Sequence, residues 1–203
     1  MNCRGQLIVI SGPSGAGKGT VCSALLEKND FWISVSATTR SPRDGEINGI
    51  DYFFISKDEF KEKIETKDFL EYAEVYGNYY GTPKSEVIKV LDSGRDVILE
   101  IDIQGALNVK MAYPSGLFIF ILPPSMEELR NRITNRGSET PESLLTRFTS
   151  AHKEISFVSK YDYAVVNDTV NNACDKIQSI VIAERCRVDR MNGDFLKEEI
   201  INE

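Results

Sequence analysis

Residues 12–20, Gly-Pro-Ser-Gly-Ala-Gly-Lys-Gly-Thr, combine small side chains with one lysine. Small residues let several backbone N–H groups turn toward one anion, and Lys18 can reach the same anion with its ammonium group. The segment follows a short apolar run and precedes a helical pattern, the context in which such loops bind phosphate. An ordinary glycine-rich turn is the alternative. The pattern predicts a nucleotide phosphate site made of Gly12, Pro13, Ser14, Gly15, Ala16, Gly17, Lys18, Gly19 and Thr20.

The hydroxyl that commonly holds Mg²⁺ in such loops is displaced by one position. The residue after Lys18 is Gly19, and the hydroxyl belongs to Thr20, so the sequence leaves a side-chain ligand at that point open. Glu100 and Asp102 end an apolar stretch, where ligands gather in open α/β sheets. We assign Asp102, directly or through water, and also Glu100 to the ion or its waters. A solvated strand end is the alternative.

Two groups of arginines could hold further phosphate. Arg40 and Arg43 lie three residues apart in a polar segment, where two guanidinium groups can clamp a dianion through bidentate contacts. Arg132 and Arg136 are four residues apart, which places them on one face of a helix, and Arg147 follows. Two guanidinium groups on one face repel each other unless an anion lies between them. Solvated basic surfaces are the alternative for both groups.

The composition argues against several classes of function. The chain has 203 residues, 41% of them apolar, and a net charge of -7, which favour one folding unit and disfavour a general binder of nucleic acid or anionic membranes. Four cysteines without CxxC spacing indicate free thiols in a reducing compartment, so we expect the cytoplasm. One histidine, His152, leaves little room for a Ser-His-Asp triad. We also expect no cleaved leader and no membrane span.

Short, continuous apolar runs rich in branched side chains alternate with helical patterns along the chain. Such runs predict strands that are buried on both faces, and strands alternating with helices indicate a parallel sheet. The sequence therefore predicts an α/β fold with a mostly parallel sheet flanked by helices. The runs are residues 7–10, 97–99, 117–122 and 163–166.

Start signals mark several of the helices. Ser125, with Glu128 three residues later, has the spacing of a helix-capping pair. Thr82 and Thr140 each precede a proline, which is favoured at the first position of a helix. Residues 168–191 predict a long final helix.

Two segments interrupt the alternation of strands and helices. Residues 36–87 are rich in tyrosine, glycine and polar side chains and include an alternating stretch at residues 51–55, whereas residues 124–150 are rich in arginine. We interpret both segments as insertions that close over ligands. The core of the domain then consists of residues 1–35, 88–123 and 151–203.

Three longer segments resemble the guanylate kinase family. Together with the phosphate-binding loop, the resemblance extends over nearly the whole chain, and its motifs occur in the family's order. It implies a P-loop nucleoside-monophosphate kinase in which residues 36–87 form a GMP-binding insertion and residues 124–150 an arginine-rich lid. The three segments are residues 36–53, residues 69–83, and residues 129–140 with Arg147.

The resemblance implies how the acceptor nucleotide is bound. Glu71 would accept hydrogen bonds from guanine N1–H and the 2-amino group, while the hydroxyls of Ser36 and Thr82 face O6. An ionised carboxylate is only an acceptor, and guanine alone among the common purines presents two adjacent donors on that edge. The implied partners of the GMP phosphate are Arg40, Arg43, Tyr52 and Tyr80, and we also place Glu100 and Asp102 at the GMP site.

The resemblance also implies how ATP is bound. Arg132 and Arg136 would form the lid over ATP and the transferring phosphoryl group, and Arg147 would reach the phosphates from the next helix. Asn167 would contact the adenine base. We assign the catalytic neutralisation of charge to Lys18, Arg43 and these three arginines.

The expected reaction is transfer of the γ-phosphoryl group of Mg·ATP to GMP, and to dGMP, giving ADP and GDP, a step in purine nucleotide salvage and GTP supply. We expect ATP, Mg²⁺ and GMP as ligands, with no nucleic acid and no membrane as partner, and the sequence leaves the oligomeric state open. One alternative is another nucleoside-monophosphate kinase, because Gly19-Thr20 also resembles adenylate kinases. The other is a non-catalytic scaffold that binds a phosphopeptide or a protein at the GMP site, against which the retained Lys18 argues.

Overall fold

The structure, a computed structural model, describes residues 4–75, 77–134, 141–188 and 190, with the backbone alone for residues 141–147. Its strands are β1 (Leu7–Ser11), β2 (Trp32–Ile33), β3 (Ala37–Thr38), β4 (Phe53–Phe54), β5 (Phe69–Val75), β6 (Asn78–Pro83), β7 (Val97–Glu100), β8 (Leu117–Leu122) and β9 (Tyr163–Val166). Its α-helices are α1 (Lys18–Lys28), α2 (Lys57–Glu65), α3 (Lys84–Asp92), α4 (Ile103–Ala112), α5 (Met126–Thr134), α6 (Pro141–Ile155) and α7 (Val170–Arg185). A 3₁₀ turn covers Ser156–Lys160.

The central sheet is parallel and has the strand order β2-β7-β1-β8-β9. Each of the four predicted apolar runs forms one of its strands, and β1 is buried along its whole length. β1, β7 and β8 have hydrogen-bonded neighbours on both sides and helices over both faces, which is why these three runs are apolar throughout and do not alternate. β9 lies at the edge of the sheet with Ala164 and Val166 exposed, so the prediction that this run is buried on both faces is wrong. The predicted α/β fold with a parallel sheet is confirmed.

Successive residues of β1 face two separate hydrophobic clusters. Ile8 and Ile10 pack with buried side chains of α1 and α7, whereas Leu7 and Val9 pack with buried side chains of α3 and α4. This division follows from the period of two residues along a strand. The two pairs of helices therefore hold the sheet from opposite faces.

A second sheet, which we call the small sheet, has the order β4-β3-β6-β5. Its strands β5 and β6 form an antiparallel hairpin, and Phe60 of α2 stacks on Phe69 and Tyr79 with ring centroids 4.5 and 5.4 Å apart. Ser56 and Glu59 form a reciprocal capping box that starts α2. The small sheet thus has its own aromatic core, separate from the clusters of the central sheet.

Three predictions about element boundaries were wrong or too long. Thr82 does not start a helix, because it lies within β6 opposite Glu71, and α3 begins only after Pro83. Of residues 51–55, only Phe53–Phe54 form a strand. The final helix is shorter than predicted, because α7 ends at Arg185 and begins after Thr169, whose side chain accepts a hydrogen bond from the backbone N–H of Asn172 and caps it.

The start of α5 agrees with its sequence signal, because the backbone N–H of Glu128 donates a 3.0 Å hydrogen bond to Ser125 Oγ. The described part of α6 starts at Pro141, and Thr140 lies outside the described residues. Within the part of the chain that the structure describes, no helix combines the length and apolar character needed to cross a membrane.

We expect Ile119→Ala, in the buried strand β8, to lower the free energy of unfolding by about 2–5 kcal/mol, through lost apolar contact and the cavity left behind. Ile182→Ala is the matched control, because Ile182 is 63% exposed on α7 whereas Ile119 is 0% exposed. The control should change stability by no more than about 0.5 kcal/mol. Urea unfolding measures both values, and equal losses would contradict the burial of β8.

Candidate functional site

The loop between β1 and α1 turns at glycines. Gly12 and Gly17 have φ angles of 148° and 90°, which side chains rarely permit. A Cβ on Gly12 would lie 2.3 Å from the carbonyl oxygen of Ile121, and one on Gly17 would lie 2.5 Å from Asn167 Nδ2. Among the described residues no side chain caps α1, so the first amides of this helix face outward without an acceptor of that kind. This is the arrangement that binds phosphate at a helix N-terminus.

Lys18 is held by the loop that precedes it. Its Nζ donates hydrogen bonds to the carbonyl oxygens of Gly12 and Pro13, at 2.6 and 3.2 Å. Burial lowers the pKa of this ammonium group, while the carboxylates of Glu100 and Glu154 act in the opposite direction. A bound phosphate could take the place of the two carbonyl oxygens as the partner of Lys18.

Glu71 is a buried acid in the small sheet, with 7% of its surface exposed. Its Oε1 accepts a 2.8 Å hydrogen bond from Thr82 Oγ1 on the neighbouring strand β6. Its Oε2 has no hydrogen-bond partner in the described part of the protein, and it lies 3.0 Å from where a Cβ on Gly105 would be. Burial raises the pKa of Glu71 to about 7, because desolvation disfavours the charged carboxylate. A ligand that donates hydrogen bonds would satisfy the second oxygen.

Arg40 and Glu46 form a bidentate ion pair after β3. Arg40 Nη1 donates to Glu46 Oε2 at 2.9 Å and Nη2 to Oε1 at 2.8 Å, and Oε2 also accepts from the backbone N–H of Arg43 at 2.7 Å. The guanidinium carbon of Arg40 lies 5.5 Å from the Tyr52 ring centroid and 5.7 Å from that of Phe54. The ion pair and these cation–π contacts fix the orientation of Arg40, while Arg43 is exposed.

Glu100 lies between the small sheet and the phosphate loop. Tyr52 and Tyr80 meet edge to face with ring centroids 6.0 Å apart, and burial, followed by the charge of Glu100, raises the pKa of Tyr52. The same Glu100 carboxylate comes within 3.4 Å of where a Cβ on Gly19 would be. The end of β7 therefore brings a carboxylate to the point where the loop lacks its customary hydroxyl.

Three further predicted residues have the following places. Asp102 caps α4, because its Oδ1 accepts a 3.0 Å hydrogen bond from the N–H of Gly105. Thr20 is exposed in the first turn of α1, and Ser36 is half-buried next to β3. Within the described ranges, no group of three or more His, Cys, Asp or Glu side chains could hold a metal ion. A metal ion here would need oxygen ligands from bound phosphates as well as from these side chains.

A family model, "Guanylate kinase", matches residues 4–184 of the chain. The chain belongs to the guanylate kinase family. It is 69% identical over 202 residues to the guanylate kinase of Clostridium tetani, covering 98% of this chain and 97% of that one. It is 53% identical to the guanylate kinase of Bacillus subtilis, covering 97% and 98% of the two chains. A crystal structure of guanylate kinase from Anaplasma phagocytophilum superposes with a TM-score of 0.82 at 36% identity, covering 97% and 96% of the chains.

Membership in the guanylate kinase family confirms the predicted family, fold and activity, the ATP-dependent phosphorylation of GMP. Guanylate kinases are nucleoside-monophosphate kinases, and the match disfavours the alternative of an adenylate kinase, which rested on Gly19-Thr20 alone. The roles of individual residues stay predictions. The structure gathers these predicted residues in two groups. Lys18, Thr20, Glu100 and Asp102 lie at the carboxyl edge of the central sheet, and Arg40, Tyr52, Glu71, Tyr80 and Thr82 lie in the small sheet or in the loops next to its strands.

The structure places one of the three arginines predicted for the lid of this guanylate kinase family member. Arg132 Nε donates to Glu128 Oε1 at 2.8 Å, and its Nη1 donates to the carbonyl oxygen of Ala16 at 3.5 Å. Arg132 therefore lies against the phosphate loop. Arg136 lies outside the described residues, and so does the side chain of Arg147.

Asn167 supports the phosphate loop from the end of β9. It is 3% exposed, and its Nδ2 donates a 2.9 Å hydrogen bond to the carbonyl oxygen of Ala16. Its own carbonyl oxygen accepts from Arg132 Nη2 at 3.3 Å. The side chain for which the resemblance implies an adenine contact thus also fixes the loop that precedes Gly17.

Sequence reasoning missed two carboxylates. Glu46 lies six positions after Arg40 in the segment that resembles guanylate kinases, and an acid so close to two arginines was a usable signal. Glu154 accepts a 3.1 Å hydrogen bond from the backbone N–H of Ser14, which is 140 positions away. No local pattern links residues at that separation.

The raised pKa of Glu71 has a measurable consequence for stability. The folded protein holds a proton on this side chain between the ordinary pKa of 4.5 and about 7, whereas the unfolded chain releases it. Protonated Glu71 therefore makes its full contribution to the free energy of unfolding below pH 4.5, and this contribution is lost as the pH rises to about 7.

We expect the wild type to lose stability relative to Glu71→Gln as the pH rises from 4.5 to about 7, by up to about 3 kcal/mol. Urea unfolding at a series of pH values measures the difference, because glutamine keeps the shape of the side chain but does not titrate. Glu74→Gln, an exposed position on the same strand, is the control and should follow the wild type. Parallel pH profiles for the wild type and Glu71→Gln would contradict the prediction.

Proposed function

We propose that this chain transfers the γ-phosphoryl group of ATP to GMP, giving ADP and GDP, by holding guanine at Glu71 and the phosphates of both nucleotides at Lys18 and a set of arginines. The observation that carries the proposal is the buried Glu71 carboxylate, which has one oxygen on Thr82 and the other without a partner among the described residues. Membership in the guanylate kinase family supports the same reaction.

Glu71 is the proposed recognition residue for guanine. Its ionised carboxylate offers only acceptors, and guanine N1–H and the 2-amino group are two adjacent donors. Adenine would turn its N1 acceptor toward the acid and leave a buried oxygen unpaired, which costs more than a missing contact. Donors from guanine also favour the charged form, so binding of GMP should bring the pKa of Glu71 below its value of about 7. Ser36 and Thr82 would complete the base site at O6.

Arg40, Arg43, Tyr52 and Tyr80 are the proposed partners of the GMP phosphate. Arg40 is already oriented by Glu46, and the two tyrosine rings lie beside it. Arg43 is exposed and would complete the clamp from the other side of the loop. A preoriented guanidinium loses less entropy when it binds a phosphate than a freely rotating one.

Residues 12–20 and Asn167 are the proposed ATP site. The loop amides would bind the phosphates, and Lys18 would move from the carbonyl oxygens of Gly12 and Pro13 to the β- and γ-phosphates. Arg132, Arg136 and Arg147 would approach the transferring group from the lid. The contact of Arg132 with the carbonyl oxygen of Ala16 supports its part of this assignment.

The transfer needs no protein base. An oxygen of the GMP phosphate, already ionised near neutral pH, attacks the γ-phosphorus of ATP, and the bond to the β–γ bridging oxygen breaks as ADP takes the electron pair. The protein must bring two anions into line and neutralise their charge, which is the proposed task of Lys18, Arg43 and the lid arginines. Closure of the two insertions, residues 36–87 and 124–150, over the core would exclude water from the reaction.

Glu100, Asp102 and Thr20 are the proposed contacts of Mg²⁺ or of its waters. The approach of Glu100 to Gly19 supports this assignment, because it supplies an oxygen where the hydroxyl is displaced. When bound, Mg²⁺ would neutralise charge on the phosphates during the transfer.

We also propose the wider setting that the sequence suggests. The chain would use dGMP besides GMP, serve purine nucleotide salvage and GTP supply, and act on small molecules without nucleic acid or membrane partners. Cys22, Cys174 and Cys186 are free thiols, which supports a reducing compartment such as the cytoplasm.

A substrate panel tests the reaction. With Mg·ATP, a coupled assay of ADP formation should show turnover with GMP and dGMP but not with AMP, CMP or UMP. Glu71→Gln should reduce kcat/KM for GMP by about 10²-fold or more, because the buried site loses its double acceptor. Glu74→Gln, three positions along the same strand, should behave as the wild type. Turnover with AMP would contradict the base site, and binding of GMP without any turnover would favour the scaffold alternative.

Substitution of Arg43 tests the phosphate clamp. We expect Arg43→Ala to lower kcat/KM for GMP by about 10²–10³-fold, since a guanidinium that neutralises the transition state is lost. Arg4→Ala, which removes an exposed ion pair with Asp92, is the control and should leave the rate unchanged. Unchanged turnover and GMP affinity in Arg43→Ala would contradict the assignment of Arg43.

A further inference from the structure

A carboxylate from α6 contacts the phosphate loop. The backbone N–H of Ser14 donates a 3.1 Å hydrogen bond to Glu154 Oε2, in the last turn of that helix. The negative charge of Glu154 also favours the charged form of Lys18. The reaction proposed above assigns no part to Glu154.

Apolar contacts join the same parts of the protein. Leu129 and Ile133 of α5 pack with Ala151 of α6. A Cβ on Gly15 would lie 2.7 Å from Ile133 Cγ1 and 3.0 Å from Leu129 Cδ1, so both side chains lie directly against the loop. Helix α5 therefore contacts the phosphate loop through apolar side chains at Gly15. Helix α6 contacts the loop one residue earlier, through the hydrogen bond between Glu154 and Ser14.

Of the two contacts, the hydrogen bond between Glu154 and Ser14 depends more strongly on orientation. Apolar packing allows a helix to roll or slide by small amounts, whereas a hydrogen bond loses strength steeply when its angle changes. Glu154 lies one turn after Ala151 on α6, so its bond to Ser14 restricts rotation of the helix about the apolar contact. Position 147 lies two turns before Glu154 on the same side of α6, about 10.5 Å along the axis.

We propose that Glu154 is a positioning residue, which sets the orientation of α6, and with it position 147, relative to phosphate bound in the loop. This inference rests on the proposed function, because position 147 matters only if its arginine acts on the transferring group. The position of the Glu154–Ser14 contact within the loop supports the positioning role. Glu154 uses the amide of Ser14, early in the loop, and leaves the first amides of α1 to phosphate.

Kinetics of three variants of the full chain test the proposal. Glu154→Ala removes the acceptor, and we expect kcat to fall by about 10-fold or more while KM for GMP stays within about twofold, because the GMP site is on other elements. Glu154→Gln keeps an oxygen that can accept from Ser14 and should retain kcat within about threefold. Glu86→Gln, at an exposed position of α3, is the control for loss of one charge and should match the wild type.

Three results would overturn the proposal. They are an unchanged kcat in Glu154→Ala, equal losses in Glu154→Gln and Glu154→Ala, or tighter binding of ATP by Glu154→Gln, which would make the carboxylate a competitor of phosphate. If Glu154→Ala does not fold, Glu154→Asp takes its place: it keeps the charge but withdraws the carboxylate from Ser14, and a wild-type kcat would contradict the proposal.

Hydrogen exchange separates this proposal from the proposed reaction. The amides of Ser14 and of α6 should exchange faster in Glu154→Ala than in Glu154→Gln or the wild type, whether or not GMP is phosphorylated. Unchanged exchange in Glu154→Ala would overturn the positioning role. Absence of GMP turnover in the wild type, with the expected exchange pattern, would instead contradict the proposed reaction.

Discussion

The pairing of β1 with β7 and β8 holds the phosphate loop and the carboxylates of the site in one place. β1 is buried on both faces and hydrogen-bonded along both edges, which restrains its carboxyl end. The register that aligns Ile10 with Glu100 brings that acid level with the start of the loop. Asn167, after the edge strand β9, reaches back to Ala16 and supports the loop from its other side.

Acids accompany the cations that we assign to phosphate. Lys18 lies near Glu100 and Glu154, Arg40 is paired with Glu46, and Arg132 with Glu128. In a chain of net charge -7, these acids offset the repulsion between clustered cations and orient them before a nucleotide binds. The acidic composition is thus compatible with a site for two polyanions, because positive charge is needed only locally.

Glu71 shows the opposite arrangement, a charge with too few partners. A buried carboxylate with one unsatisfied oxygen destabilises the folded protein above neutral pH, and the raised pKa is the expression of that cost. The small sheet can hold it because Phe60, Phe69 and Tyr79 give the sheet an aromatic core of its own. A guanine that donates two hydrogen bonds to Glu71 would remove this cost. The affinity for GMP and the selectivity against other bases would then both come from the same two hydrogen bonds.

The amino-acid sequence by itself determined the features that depend on neighbouring residues. The four apolar strands, the glycine turns of the loop and the capping pair Ser125 and Glu128 follow from local pattern and spacing, since backbone geometry and side-chain burial act over a few residues. The family follows from the order of the motifs along the chain. Only the tertiary structure decided that Thr82 pairs with Glu71 instead of starting a helix, that Asn167 holds Ala16, and that Glu154 meets Ser14. These contacts join residues that are distant in the sequence, and their geometry is set by how sheets and helices pack, for which no local spacing carries a signal.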